Sequence, residues 1–227
     1  MNKEIINVKK RNGRGTEPLN IEKIHEMVEY ACEDISGVSS SQVEMNSGLQ
    51  FYDGMTTDEI QKILIKSASD LISLDNPNYQ YVAARLLLYS LRKQIFRRLW
   101  DHPHIYTHVK KCVDLGVYDG EILNWYDKKD FDRMENWVTH ERDYDFTYAG
   151  LRQVIDKYLV QDRSTNEVFE TPQFMYMMIA ATLFAKYPKN KRMSYVKKYY
   201  DAISKFKINI PTLSLIHISE PTRLGAI

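Results

Sequence analysis

The chain has 227 residues, 44% hydrophobic and 27% charged, with 31 Lys plus Arg against 30 Asp plus Glu. This is one large or two small domains with enough apolar mass for a core, and the even charge balance excludes the basic excess that nucleic-acid binding uses. No apolar run approaches the about 20 residues of a membrane span, Met1–Ile6 is too polar for a secretory signal, and two cysteines with no CxxC pair fit a reduced, cytoplasmic compartment.

Ile5, Ile6 and Val8 form a short β-type run, and Asn12-Gly13 is a hairpin signal that returns the chain as a second strand over Thr16–Leu19, with Pro18 on an edge. Asn20 is placed to cap a helix whose apolar positions Ile21, Ile24, Val28 and Ala31 keep helical spacing. Ser36–Ser39 breaks it, and a shorter amphipathic segment with Val43, Met45, Leu49 and Phe51 follows, stopping near Asp53-Gly54. Thr56-Thr57-Asp58-Glu59 has the form of a capping box. Behind it Ile60, Ile63, Leu64, Ala68, Leu71 and Ile72 draw one apolar stripe. Asp75-Asn76-Pro77 ends that helix and opens another through Tyr81, Ala84, Leu88 and Leu91. Trp100–Pro103 marks a boundary.

Beyond it the spacing predicts short helices over Tyr106–Leu115 and Ile122–Tyr126, a longer one over Asp130–His140, and another over Tyr148–Tyr158. Tyr158–Gln161 and Glu167–Glu170 flank the turn-rich Asp162–Asn166, a hairpin pattern. Thr171-Pro172 starts a helix with a capping hydroxyl and proline at the first position, and Phe174–Phe184 is apolar nearly all round, hence buried. A last helix is expected over Ser194–Ser204 and a short strand over Phe206–Ile210.

Several of these stretches are recognisable. Val8–Gly13, Leu19–Ile24, Phe51–Thr57 and Tyr79–Leu86 resemble an ATP-cone, the small four-helix domain with a β-cover that binds ATP or dATP in ribonucleotide reductases. His140–Asp143, Lys157–Val160, Glu170–Phe174, Tyr199–Ala202 and Ile208–Thr212 resemble the N-terminal helical domain of class Ia large subunits. The resemblance implies a mainly α fold with minor β: an ATP-cone over 1–98, then an all-helical domain with one β-hairpin over 99–212. Residues 213–227 match nothing in the family and look like translated adapter sequence, a non-family tail, so the chain is expected to be a truncated N-terminal part.

The resemblance also implies a site. Lys10 and Arg11 match the nucleotide-contacting pair at the strand end, and Glu17, Asn20, Lys23 and Ile24 belong to the segment around base and ribose. Thr57 offers a hydroxyl and free N–H groups at a helix N-terminus, Lys93 matches a phosphate ligand, and Ile60 and Tyr89 complete the set. Polyphosphate needs several fixed positive donors, supplemented by helix N-termini. Taken singly, Lys9-Lys10-Arg11 is a solvated hairpin tip, Thr57 a helix start and Lys93 a helix C-terminal charge; the ordered series makes them one set. Gln61 stands where many members have histidine, and an amide can hydrogen-bond but not take up charge. Thr212 matches a residue that touches the substrate diphosphate.

The implied effector is ATP or dATP, and the implied activity is that of a ribonucleoside-diphosphate reductase. No catalytic residue is expected in this chain, because the redox cysteines and radical-transfer tyrosines lie beyond Thr212 in the family. The implied partners are a small radical-generating subunit and further copies of the full-length chain, with no nucleic acid and no membrane. The alternative is a non-catalytic nucleotide-binding regulatory or interaction module. An ATP-cone transcriptional repressor is excluded, since that class needs a four-cysteine zinc ribbon. His102, His104 and His108 flank Pro103 without a completing carboxylate or thiolate set, so they are read as a polar loop and not a metal site. Cys32 and Cys112 are read as small buried hydrophobes, and Tyr199-Tyr200 as packing residues.

Overall fold

A computed structural model describes residues 6–10 and 15–208. The described residues are mainly helical, with two small antiparallel strand pairs. By compactness they divide into two units: one takes the residues up to Leu91 together with Tyr144–Arg152, the other Arg92–Asp143 together with the residues from Gln153 onward.

In the first unit β1 (Asn7–Lys9) pairs antiparallel with β2 (Thr16–Pro18), Asn7 facing Pro18. Pro18 is thus tolerated at the end of a two-stranded ladder. The Asn12-Gly13 turn lies outside the described residues. Helix α1 (Ile21–Cys32) is capped by Asn20, whose side chain accepts from the Lys23 N–H at 3.0 Å. Ile24, Met27, Val28 and Ala31 form its buried face. Its last carbonyls, which have no partner within the helix, receive the Arg85 guanidinium, 2.6 Å from the Glu33 oxygen.

Helix α2 (Ser40–Gly48) is shorter than the sequence pattern: Val43 is buried but Met45 and Leu49 are exposed. Those three apolar residues do not share a face, and the helix stops five residues early. Helix α3 (Thr57–Asp70) starts from the capping box, with Thr56 Oγ1 accepting from the Glu59 N–H (3.1 Å) and Glu59 Oε2 accepting from the Thr56 N–H (2.7 Å). Helix α4 (Tyr79–Phe96) opens with Tyr79, whose hydroxyl donates to Gln42 and accepts from the Ser39 N–H, tying it to the start of α2.

The second unit holds α5 (Ile105–Asp114), α6 (Glu121–Trp125) and α7 (Lys128–Glu135), a 3-10 turn over His140–Asp145 that reaches its boundary, and the end of α8 (Tyr148–Lys157). The hairpin β3 (Gln161–Asp162) and β4 (Glu167–Val168) follows, then α9 (Pro172–Phe184) packed on α10 (Lys189–Ile203). Helix α7 ends five residues before the expected His140, because Trp137 and Val138 both turn back to the Met134 carbonyl. Helix α10 begins five residues before Ser194, directly after Pro188, with an exposed polar first turn that hydrophobic spacing does not register. Phe206–Ile208 are turn and bend rather than strand, with Phe206 at φ 54°; Asn209 and Ile210 lie outside the described residues. Thr171 precedes α9 as expected, but its buried hydroxyl makes no cap bond and has no partner among the described residues.

Burial explains how α9 and α10 are fixed. Asp143 (1% exposed) accepts from Gln173 Nε2 at 2.9 Å, and Gln173 Oε1 accepts from the Tyr200 hydroxyl, which accepts from the Thr139 N–H. The Arg92 guanidinium lies 3.7 Å from the second Asp143 oxygen and donates to the His140 carbonyl. Glu170 (2% exposed) accepts from the Val160 N–H and from the Tyr118 hydroxyl. Such groups are held only by partners, since an unpaired buried polar group costs about 1–3 kcal/mol.

Burial pushes the Asp143 carboxyl up to about 7 against the lowering charge of Arg92, and the Glu170 carboxyl up to about 7 against its two hydrogen bonds. It pushes the imidazoles of His102 and His108 down to about 4 and that of His140 down to about 3.

Two measurements test these readings. Thr56→Ala should destabilise the chain by about 1 kcal/mol in a urea titration, and Thr56→Ser should leave it near the parent; equal loss in both would remove the capping box as the reason α3 starts there. The second concerns pH. The raised carboxyls keep their protons in the folded state and lose them in the unfolded one, so their contribution falls as pH rises from about 4.5 to about 7. The depressed histidines do the opposite, their contribution rising between about 4 and 6.5. These terms partly cancel. Glu170→Gln removes one of the opposing protons, so stability should climb more steeply between pH 5 and 6.5, by up to about 1.4 kcal/mol per pH unit. A slope identical to the parent would show that Glu170 is ionised throughout that range.

Candidate functional site

The β1–β2 pair is stitched to the loop before α3. Asn7 accepts from the Gly54 N–H at 2.8 Å through its carbonyl and donates its own N–H to Asp53 at 2.7 Å. Lys9 donates to the Met55 carbonyl at 2.8 Å and forms a parallel bridge with Thr56. Gly54 takes φ 81° in this turn, a left-handed conformation that glycine adopts without strain. The residues that follow the bridged pair are Lys10 and Thr57, so the strand end with its lysine and the first turn of α3 run on from one ladder step.

Around that step several expected residues gather. Lys10 Nζ lies 2.8 Å from Glu17 Oε2, across the strand pair. The hydrogen bond from Lys10 holds the Glu17 carboxyl below its usual range, and the charges of Lys10 and Lys23 add to this against a smaller desolvation effect. Glu17 therefore senses both lysines, while Asn20 caps the helix that carries Lys23. Thr57 is the first residue of α3, with Thr56 taking the cap. Its exposure is intermediate, and the first-turn N–H groups of a helix are intrinsically short of partners.

The other expected residues stand differently. Ile24 and Ile60 are core residues, 8% and 6% exposed, beneath α1 and α3. Tyr89 is 1% exposed and packs edge-on against Tyr144, 6.4 Å between centroids, while Arg85 lies over the same Tyr144 ring. Gln61 is 3% exposed, and its amide donates to the Leu86 carbonyl of α4 at 3.0 Å. At that position the side chain is a strut between α3 and α4. Lys93, half-buried in the last turn of α4, belongs to the second unit. Arg11 and Thr212 lie outside the described residues.

The three neighbouring histidines point into separate environments. His102 stacks on His140, with centroids 3.7 Å apart. His104 caps α5, its Nδ1 accepting from the Tyr106 N–H, and its Nε2 lies 3.3 Å from Asp132. His108 lies against Phe174 and Cys112. Among the described residues no group of three or more His, Cys, Asp or Glu is arranged to hold a metal ion, and no helix is long and apolar enough to cross a membrane. Burial pushes the thiols up, Cys32 to about 11 and Cys112 to about 12, so neither is a thiolate at neutral pH. Tyr200 is fully buried in the Gln173 network, and Tyr199 lies edge-on to Phe184.

Sequence reading missed the buried charged groups Arg92, Asp143, Glu170 and Arg192. Nothing local marks them, since their partners are distant in the chain. Arg192 illustrates this: it donates to the Trp125 carbonyl, pairs with Asp130 at 3.3 Å and covers the Tyr126 ring at 4.3 Å.

Comparison with known proteins agrees with this layout. Residues 6–94 match the ATP cone domain, and residues 144–221 match the ribonucleotide reductase, all-alpha domain. The Ribonucleoside-diphosphate reductase 1 subunit alpha of Salmonella typhimurium is 47% identical over 223 residues, 98% of this chain and 29% of that protein. Its Escherichia coli counterpart is 45% identical over the same coverage, and the Ribonucleoside-diphosphate reductase subunit alpha of Haemophilus influenzae is 46% identical, again over 98% and 29%. The chain thus spans about 29% of the length of these relatives. Both the all-alpha match and the aligned relatives run past Thr212, into the segment where reading the residues showed no family pattern. The chain belongs to the ribonucleotide reductase large-subunit family, of which it carries the ATP cone and the all-alpha domain.

Proposed function

We propose that the chain is the effector-binding front of a ribonucleoside-diphosphate reductase large subunit, taking ATP or dATP on its ATP cone to regulate reduction of ribonucleotides. The observation that supports this most is the cone match over residues 6–94 together with the ladder step that joins the Lys10 strand end to the first turn of α3. Triphosphate needs cations and unpaired N–H groups in one place. Here Lys10, Lys23 and the α3 N-terminus supply them on the cone, with Arg11 and Lys93 assigned to the set by resemblance. Glu17 and Asn20 would face the nucleoside, and Ile24, Ile60 and Tyr89 form the apolar wall behind it. Residues 1–98 act as the regulatory domain and 99–212 as the helical domain leading to the catalytic part, where Thr212 would meet the substrate diphosphate.

The chain by itself performs no reduction in this reading. Its two cysteines are single free thiols on α1 and α5, and the resemblance matches neither to a redox cysteine of the family. The small radical-generating subunit and oligomerisation belong to the full-length protein in the cytoplasm, and no nucleic acid or membrane partner is assigned.

Calorimetry on the 227-residue chain tests the binding. ATP or dATP should bind with one sharp isotherm, and Lys10→Ala or Lys93→Ala should each weaken it about ten- to a hundredfold, as expected for loss of a charge-assisted bond. His104→Ala and Lys128→Ala should leave it unchanged. A folded chain that gives no heat with millimolar ATP or dATP ends the effector reading; binding that survives both lysine replacements overturns the residue assignment.

A further inference from the structure

Two side chains of α5 form a pair that the effector reading does not use. His108 and Cys112 stand four residues apart, which puts them one turn from each other on the same face of the helix. The His108 Nε2 and Cys112 Sγ atoms are 3.6 Å apart. Both residues are buried, 4% and 1% exposed, yet both line a cavity of 840 Å³ walled by the end of α4, by α5 and by the β3–β4 hairpin. The imidazole is fixed by three rings, with centroids 4.8 Å away for Phe174, 5.6 Å for Phe96 and 6.4 Å for Tyr118. The helix is fixed as well, since Glu135 accepts from the Ile105 N–H at its first residue, 2.7 Å away. Donors on a regular helix, with rotamers locked by packing, hold their geometry when a ligand arrives.

A thiol sulfur and an imidazole nitrogen are together donors for soft metal ions. Bonds from zinc to such donors are about 2.3 and 2.0 Å, so an ion of that size can bridge donors up to about 4.3 Å apart. The observed 3.6 Å lies within that reach. The number of donors and their charge then select the ion. Among the described residues no group of three or more His, Cys, Asp or Glu is arranged to hold a metal, so zinc, which takes four ligands, is not served. Glu170 is engaged by the Tyr118 hydroxyl and the Val160 N–H, and is not offered as an oxygen ligand. The charged residues lining the cavity do not select either: Arg97, Arg98 and Lys111 stand against Asp101, Asp162 and Glu167. A thiolate, a neutral imidazole and a monovalent cation make a complex with no net charge. A divalent cation would leave one positive charge in a buried place, which is costly without a further partner.

We propose that His108 and Cys112 bind one monovalent soft cation of the copper(I) class as a two-coordinate thiolate–imidazole site. On binding, the Cys112 S–H bond breaks, an S–metal bond forms and the proton goes to solvent. Nε2 of His108 donates its lone pair while the ring keeps its proton on Nδ1, and nothing is oxidised or reduced. The site is independent of the nucleotide reading, since His108, Cys112 and the rings around them all lie in the second unit.

Silver(I), added as the nitrate in chloride-free buffer, is the probe. The 227-residue chain is used with Cys32→Ser, because Cys32 is the other free thiol. The expected result is binding of one silver ion with release of one proton and a rise in melting temperature, and zinc(II) at the same concentration should produce neither. Cys112→Ser should abolish the binding. His108→Phe, which keeps a ring between Phe96 and Phe174, should weaken it at least about tenfold, since loss of even an outer-shell partner costs that much. Nitrogen resonance spectra give a readout that needs no replacement at the site: one of the six histidines should shift its Nε2 signal with one equivalent of silver. No binding, binding that survives Cys112→Ser, unchanged affinity in His108→Phe, histidine signals that all stay in place, or zinc binding as tight as silver would each overturn the proposal.

Discussion

The second unit depends on one buried carboxyl. Asp143 is 1% exposed and sits where the end of α4, the 3-10 turn and α9 converge. Taking a carboxyl out of water costs several kcal/mol unless it is neutralised or paired, and Asp143 meets this in both ways. Its pKa is pushed up to about 7, so it is substantially protonated near neutrality, and it keeps the Arg92 guanidinium at 3.7 Å and the Gln173 amide at 2.9 Å. Gln173 has two polar ends and spends both, one on Asp143 and one on Tyr200. The result is directional. Apolar contact between α9 and α10 tolerates sliding, whereas a chain of four hydrogen-bonded groups fixes one register. Arg142, bonded to Ser204 and Asp201 and lying over Tyr200, closes the same network from the outside.

The first unit is held by a different device. Its strands are three residues each, far too short to be stable alone. They persist because both edges of β1 are used: one pairs with β2, and the other meets the Asp53–Thr56 loop through Gly54, Met55 and Thr56. Val8, 3% exposed, plugs this cover into the helices beneath. The capping box then fixes where α3 begins relative to the strand. Local helix chemistry and strand pairing thus determine one another over residues 7–9 and 53–59.

This division explains what could be read from the residues. Asn20, the Thr56–Glu59 box and Pro172 are short-range signals, and the structure uses each at the position expected. The nearly all-apolar stretch of α9 is buried through most of its length to Ala181, but Leu183 in its last turn is 37% exposed. Of the candidate site, Lys10, Glu17, Asn20, Lys23 and Thr57 were legible through family resemblance, but the Lys10–Glu17 pair was not, since nothing in the spacing says that two ligand candidates satisfy each other. The buried groups were invisible for a plainer reason. Asp143 and Gln173 are 30 residues apart and Gln173 and Tyr200 27, so periodicity within a window cannot couple them. Errors of extent follow the same logic: α10 opens with an exposed polar turn that carries no hydrophobic signal, and Phe206 turns away from strand geometry at φ 54°.

The contrast between the units bears on where the chain can respond to a ligand. In the first unit the ion pairs are solvated: Lys10 with Glu17, His25 with Glu44 and Lys62 with Asp58 all leave substantial exposed surface. Exposed pairs are weak and are screened by salt, so a polyanion can take Lys10 from Glu17 at little cost, and the released Glu17, itself exposed, leaves no buried charge behind. In the second unit the buried pairs of Arg92 with Asp143 and of Arg192 with Asp130 have no such freedom; removing either partner would strand a charge out of water. On the proposed reading, the effector acts at the only kind of ion pair that can be exchanged without unfolding its surroundings. The buried network of the second unit offers no such exchange, because each of its charges depends on a partner that is also out of water.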